Sequence, residues 1–153
     1  MQRLALSVHC RVFIKTEDNA VAVKEAFLAL FPFPLVEEKV ALDETKTEDL
    51  DASITILHVA LLRPRHVNAF LKRFNTNLSA QDRAMIIAQK ESRLDDEGMF
   101  YVRLEKQAWL AGVAKVTDSG ECFHCTFEIA AFPRNRNVML ANVEKLFAVN
   151  QHN

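Results

Sequence analysis

The sequence predicts an α+β fold: a single domain over residues 1–150 in which a largely antiparallel sheet carries helices packed on one face. Three observations lead there. Several segments alternate apolar and polar residues with period 2, as strands with one covered face do. Between them stand stretches of helical period opened by capping residues or proline. The element order, β-α-β-β-α-α-β-β-β-α, sets strands next to strands with turn signals between them, which reads as antiparallel pairing rather than a doubly wound parallel sheet.

The elements follow in chain order. Residues 3–15, RLALSVHCRVFIK, alternate, with Leu4, Leu6, Val8, Cys10, Val12 and Ile14 facing one way and Arg3, Ser7, His9, Arg11 and Lys15 the other. Thr16 offers a side-chain cap, with Glu17 and Asp18 in the first turn, for a helix to about Phe31. The FPFP run at 31–34 ends it, because a residue before proline is pushed out of helical geometry. A second strand is predicted near 35–42 and a third near 53–62, SITILHVALL, on either side of an acidic loop. Arg63 and Pro64 open a helix in which Val67, Phe70, Leu71 and Phe74 recur at i, i+3, i+4 and i+7, and Asn75-Thr76-Asn77 closes it. Ser79 and Asp82 start a third helix, to about Leu94, and Asp95–Gly98 make a turn.

Strands are then predicted near 99–106, 111–117 and 121–132, the last two joined at Thr117-Asp118-Ser119-Gly120 as a hairpin. In the last strand Phe123, Cys125, Phe127 and Ile129 share a face opposite Cys122, His124, Thr126 and Glu128. A final helix after Pro133 runs to about Ala148, with Leu140, Val143 and Phe147 inward. Val8, Val12, Phe127 and Ile129 are expected in the core.

Composition narrows the function. The longest apolar runs, such as VALL, fall far short of the roughly 20 residues a membrane helix needs. The N-terminal MQRLALSVHCRVF alternates and lacks the layout of a signal peptide. An odd cysteine count of three suits free thiols in a reducing cytoplasm. With three glycines in the whole chain, no GxGxxG, GxxxxGK[ST] or GxSxG motif occurs, and glycine-rich phosphate loops are excluded. The net charge of −1 hides an asymmetry: residues 37–51, EEKVALDETKTEDLD, hold seven acids and two bases, and the rest of the chain balances at +4. A mildly basic remainder permits an RNA surface.

Catalytic chemistry finds little to work with. Cys122 and Cys125, three apart on a strand, point to opposite faces and cannot chelate together, so Cys125 is expected in the core and Cys122 on the surface, with no disulfide, metal or other cofactor. His9 and His124 lie on the polar faces of their strands, where they could meet if those strands pair and otherwise read as exposed or locally hydrogen-bonded imidazoles. Asp95, Asp96 and Glu97 form a solvated turn in which Asp95 pairs with Arg93 or organises the chain, and no serine, histidine and acid arrangement stands out. The reading is therefore not an enzyme.

Basic and aromatic side chains offer more. Tyr101 and Arg103 share a face of the fourth strand, Lys106 sits at its end, and Arg3, Arg11 and Lys15 lie on the polar face of the first. Arg63 and Arg65 stand at one helix N-terminus, Arg134 and Arg136 at another, where free N–H groups and a positive dipole end suit phosphate. Trp109 reads as core.

The segment RLDDEGMFYVRLEKQAWLAG, residues 93–112, resembles the signature region of an archaeal family described as RNA-binding and as predicted exosome-associated subunits. Arg93-Leu94-Asp95-Asp96, Tyr101, Arg103-Leu104, Lys106-Gln107 and Gly112 carry the resemblance. The order of elements, from VHCRVFIKTED to FEIAAFPRNR, is similar too. One departure is the segment ALDETKTEDLDAS, acidic and without the glycine the family has before its third strand. The family is similar in fold to the large-subunit ribosomal protein that holds 5S ribosomal RNA. The resemblance implies an archaeal, cytoplasmic, non-catalytic RNA-binding protein, associated with RNA processing or the exosome. Arg63, Arg65, Arg93, Tyr101, Arg103, Lys106, Gln107, Arg134 and Arg136 are the expected RNA contacts. The alternative is a protein–protein module, a homodimer or adaptor that does not touch RNA.

Overall fold

Strand β1, Ala5–Lys15, is the centre of the molecule. A computed structural model describes residues 3–48 and 52–148, and in it β1 pairs on one side with β3, Ser53–Leu61, and on the other with β5, Cys122–Ile129. Strand β2, Asp43–Glu48, adds outside β3, and β4, Met99–Glu105, outside β5. The result is a five-stranded sheet in the order β2-β3-β1-β5-β4, with every neighbouring pair antiparallel.

The helices collect on the face that the large apolar side chains of the central strands share. Val8, Cys10 and Val12 of β1, Leu57, Val59 and Leu61 of β3, Val102 of β4 and Phe127 and Ile129 of β5 are almost wholly buried there. Against them pack α1, Ala20–Leu28, through Val23 and Phe27; α2, Pro64–Asn77, through Val67, Phe70 and Phe74; α3, Ala80–Ala88, through Ile86; and α6, Arg136–Phe147, through Val143 and Phe147. Phe127 is the meeting point, its ring centroid 5.4 Å from that of Phe74 and 5.7 Å from that of Phe147. Val8, Val12, Phe127 and Ile129, the four residues expected in the core, are each 0% exposed. Pro64 begins α2 as its motif predicts, and the Ser79 hydroxyl caps α3 by accepting from the Asp82 amide.

The structure departs from the sequence reading in five places, each for a local reason. First, the alternation of β1 breaks at its start. Ala5 faces Ile129 and Ser7 faces Glu128, so β1 carries one extra residue there, a bulge. Ala5 and Ser7 are buried, and Leu4 and Leu6 only partly so. Second, the second strand is not 35–42 but the acidic run itself, an edge strand exposed along its whole length; Asp49, Leu50 and Asp51 of that run lie outside the described residues. Third, α1 is capped by Asn19 rather than Thr16, whose hydroxyl is held to the Ser53 backbone at 2.9 and 3.1 Å. Fourth, the third helix divides at Gln89 into α3 and a turn, α4, Lys90–Arg93. Fifth, 111–117 forms no strand and no hairpin with the last one. After α5, Lys106–Leu110, the chain pairs with β4 as a single bridge, Leu104–Val116, before entering β5. Trp109 packs on the core and donates to the Ala26 carbonyl at 2.7 Å, as its core reading required.

Lys106 fastens several of these elements together. Its side chain is 3% exposed, and Nζ donates to the Phe13 carbonyl at 2.7 Å, to Asp18 Oδ2 at 2.9 Å and to Glu121 Oε1 at 3.3 Å. Burial alone would push the Asp18 carboxyl up, but the hydrogen bonds from Lys106 and the Lys15 amide, with both lysine charges, hold it below its ordinary value. Removing one partner of a buried pair strands the other, at about 3–5 kcal/mol. Lys106→Ala is therefore expected to lower the unfolding free energy by roughly 3 kcal/mol or more in urea at pH 7, and a loss below about 1 kcal/mol would contradict the clamp. Because the folded pKa of Asp18 lies below its unfolded value of 3.8, its contribution is present at neutral pH and is lost as pH falls from there through the folded pKa.

Candidate nucleic-acid interface

With the helices on one face, the other face of the sheet carries none among the described residues. Strand register decides what stands on it. Asp43 pairs with His58, His58 with Arg11, Arg11 with His124, and His124 with Arg103, which makes one continuous row across all five strands. The next row is Ala60, His9, Thr126 and Tyr101. Neighbours in such a row stand about 4.5–5.5 Å apart, so these side chains form one surface.

Three imidazoles and two rings line that surface. His9 stacks on His58 with ring centroids 5.6 Å apart, and Phe13 meets His124 edge-on at 5.8 Å. The Arg11 guanidinium sits 5.3 Å from the centroid of the Phe13 ring, a cation over an aromatic face. Burial pushes the His9 imidazole below its usual 6.5, and His58 lowers it further while Glu128 opposes. Burial also lowers His124, helped by the positive charges of Arg11 and Arg103. Both are therefore neutral at pH 7, and Arg11 and Arg103 put standing positive charge in the row.

Carboxylates on this face keep to its margins and are occupied. Asp43 lies 3.6 Å from His58 Nδ1, Glu105 3.8 Å from Lys115 Nζ, and Glu128 accepts from Ser7 Oγ at 2.9 Å. Asp95 organises the turn before β4, accepting from the Glu97 and Met99 amides at 2.9 Å and from the Tyr101 hydroxyl at 3.0 Å. Burial would raise its carboxyl, but those donors hold it below the ordinary range.

The expected RNA contacts do not form one patch. Tyr101 and Arg103 are exposed on the open face. Together with Arg93, Gln89 and Asp118 they line a recess of about 320 Å³. Arg93 itself is buried: it donates to Gln89 Oε1, to the Tyr101 carbonyl at 3.1 Å and to Asp118 Oδ1 at 3.0 Å. Lys106 is buried beneath the sheet end, and Gln107 is exposed on α5. Arg63 and Arg65 stand at the start of α2 around Glu38, Arg65 with an ion pair of 2.9 Å. Arg134 donates to the Glu97 carbonyl, and Arg136 to those of Leu94 and Glu91. Asn135 already caps α6 by accepting from the Val138 amide.

Sequence reasoning placed Arg11 on a polar face but did not single it out, and it passed over Phe13 and His58. The signal for Phe13 was present, since the same alternation that exposes Arg11 and Lys15 exposes the aromatic between them. His58 needed the register of β3 on β1. His9 and His124 do not meet: His9 faces Thr126 and His124 faces Arg11. Cys122 is buried at 6% exposure rather than on the surface, its Sγ 3.5 Å from His124 Nε2, and Cys125 is in the core as read. Among the described residues no group of three or more His, Cys, Asp or Glu is placed to hold a metal, and no helix is long and apolar enough to cross a membrane.

Comparison with known proteins agrees with the fold and narrows the class. The chain is 26% identical over 142 residues to the RNA-binding protein PAB1135 of Pyrococcus abyssi, covering 92% of each. Its fold matches that of a DUF54 protein from Archaeoglobus fulgidus with a TM-score of 0.81 at 20% identity, over 94% of this chain and 99% of that one. A DUF54 protein from Methanothermobacter thermautotrophicus matches with a TM-score of 0.75 at 22% identity, over 95% and 99%. A family model described as RNA binding matches residues 7–129, and the chain belongs to that family.

Proposed function

We propose that this protein is a non-catalytic module that holds RNA directly against the open face of its sheet. The observation that carries the reading is the row His58, Arg11, His124, Arg103, which sets two arginines on either side of an imidazole with no carboxylate between them. Phosphate contacts supply most of the affinity of such a surface, and exposed rings beside them supply stacking. Arg11, Tyr101 and Arg103 are the primary contacts. Arg93 and Lys106 act from below, holding the backbone of Tyr101 and of Phe13. Arg63, Arg65, Gln107, Arg134 and Arg136 are contacts for a longer RNA that runs off this face. The resemblance to predicted exosome-associated subunits supports work in the cytoplasm within an RNA-processing assembly. Phe132, 96% exposed, is the side chain that a protein partner there would cover.

Salt titration tests the primary contacts. Each neutralised phosphate of a single strand contributes about 0.7 to the slope of log affinity against log salt. Changing Arg11 and Arg103 together to alanine should flatten that slope by about one to two units between roughly 50 and 200 mM salt. Lys72→Ala, on the outer side of α2, should leave it alone. An unchanged slope in the double variant places the RNA elsewhere, and no binding at low salt in the wild type leaves the protein–protein reading.

The imidazoles add a pH dependence whose sign is fixed. His9 and His124 are held below 6.5 in the free protein, and an adjacent phosphate raises an imidazole. The complex then takes up protons, so affinity should rise as pH falls below neutral and level off once the free protein's own imidazoles are charged. Replacing His9 and His124 with glutamine should flatten the profile, and a wild-type affinity constant from pH 7.5 to 5.5 would exclude phosphates from this row.

A further inference from the structure

We infer that the RNA held on this face is single-stranded, and that a recess between β1, β3 and β5 seats one of its unpaired bases. The inference rests on the RNA reading of the face and goes beyond it by naming the form of RNA and the seat. The recess has a volume of about 230 Å³ and is lined by Phe13, Ile54, Cys122 and His124 together with Lys106 and the Lys15–Glu121 ion pair, 3.6 Å long. Small-molecule sites run to about 300–1,000 Å³, so this one suits a single flat ring rather than a cofactor.

Its chemistry matches a base. The Phe13 ring, the Ile54 side chain and the Cys122 thiol offer apolar contact. His124, neutral at pH 7, has Nε2 beside Cys122 Sγ at 3.5 Å and leaves its other ring nitrogen for the edge of a base. The Arg11 guanidinium, 5.3 Å from the centroid of the Phe13 ring, stands where the phosphate of the same nucleotide needs a cation. Lys106 is not that cation, because its three N–H groups are taken by the Phe13 carbonyl, Asp18 and Glu121. It fixes the backbone that carries the ring.

Double-stranded RNA has nothing to put into such a recess. Its bases are stacked and paired inside the helix, and it shows a protein only phosphates, 2′-hydroxyls and the shallow groove. A single strand can splay a base onto an aromatic side chain. Tyr101, 42% exposed and two rows from Phe13, offers a second ring on the same surface. The acidic strand β2 bounds the face beyond Ile54 and repels the backbone on that side, which favours a short track over β3, β1, β5 and β4.

Three labelled probes test this at one salt concentration by fluorescence anisotropy: a single-stranded RNA of mixed sequence, a blunt duplex of the same length, and the single strand with abasic sites in place of its bases. The wild type should prefer the single strand to both others. Phe13→Leu keeps an apolar side chain but removes the π-face. It should weaken single-strand binding roughly five- to a hundredfold, the range of a lost base–aromatic stack, while leaving the abasic strand and the salt slope unchanged. At about pH 8, where the imidazole carries no charge to give a phosphate, His124→Gln, melting with the wild type, should weaken the single strand and spare the abasic one. Equal wild-type affinity for all three probes, with Phe13→Leu unaffected, overturns the base seat and leaves backbone RNA binding standing. No binding of any probe overturns the RNA reading and this inference with it.

Discussion

One ammonium group ties the working parts of this molecule together. Lys106 joins the backbone of β1 at Phe13, the residue before the α1 cap at Asp18, and the entry to β5 at Glu121. Those three segments are distant in sequence and meet at one end of the sheet. Taking a lysine to 3% exposure is unfavourable unless all its protons find oxygens, and here all three do. The clamp explains why Asp18 is unavailable as a helix residue and why α1 starts later, at Asn19. It also fixes the backbone on which Phe13 stands.

The open face is a by-product of how the apolar residues are distributed. The buried apolar side chains of β1, β3, β4 and β5 share one side of the sheet, which the helices cover, and the opposite face keeps whatever alternation leaves there. On β1 alternation leaves His9, Arg11, Phe13 and Lys15; on β5, His124 and Thr126; on β4, Tyr101 and Arg103. None of these segments is a nucleic-acid motif by itself. Three antiparallel registers bring them into rows, so the candidate interface belongs to the pairing of strands rather than to any one stretch of chain.

That difference accounts for what the sequence could and could not disclose. Period-2 alternation in 7–15 and 122–129 and the i, i+3, i+4, i+7 pattern of α2 are local, and each found its place. The same alternation failed in 35–42, where apolar residues pack as irregular chain beside the core, and in 43–48, where tertiary pairing made a strand of DETKTE against its composition. The candidate site was less legible. Lys106 was read as a ligand contact because it is charged, and Arg93 because the family resemblance runs through it. Burial, which no single-sequence pattern reports for a lysine at the end of a strand, turned them into structural groups. Arg11, His58 and His124 became neighbours only through register, which depends on which strands meet. The bulge at Ala5–Ser7 shows the limit at its smallest, since one extra residue reverses the faces of everything before it.

The strand that composition argued against has a bearing on solubility. An outermost strand offers unpaired N–H and C=O groups to any other extended chain, and exposed edges of this kind seed aggregation. Asp43–Glu48 carries three carboxylates and one lysine, all of its residues exposed. Were two copies to join edge to edge in antiparallel register, their carboxylates would be brought close together, a repulsion that grows as salt is removed. The acidic run thus acts as a guard rail that opposes pairing at this edge of the sheet.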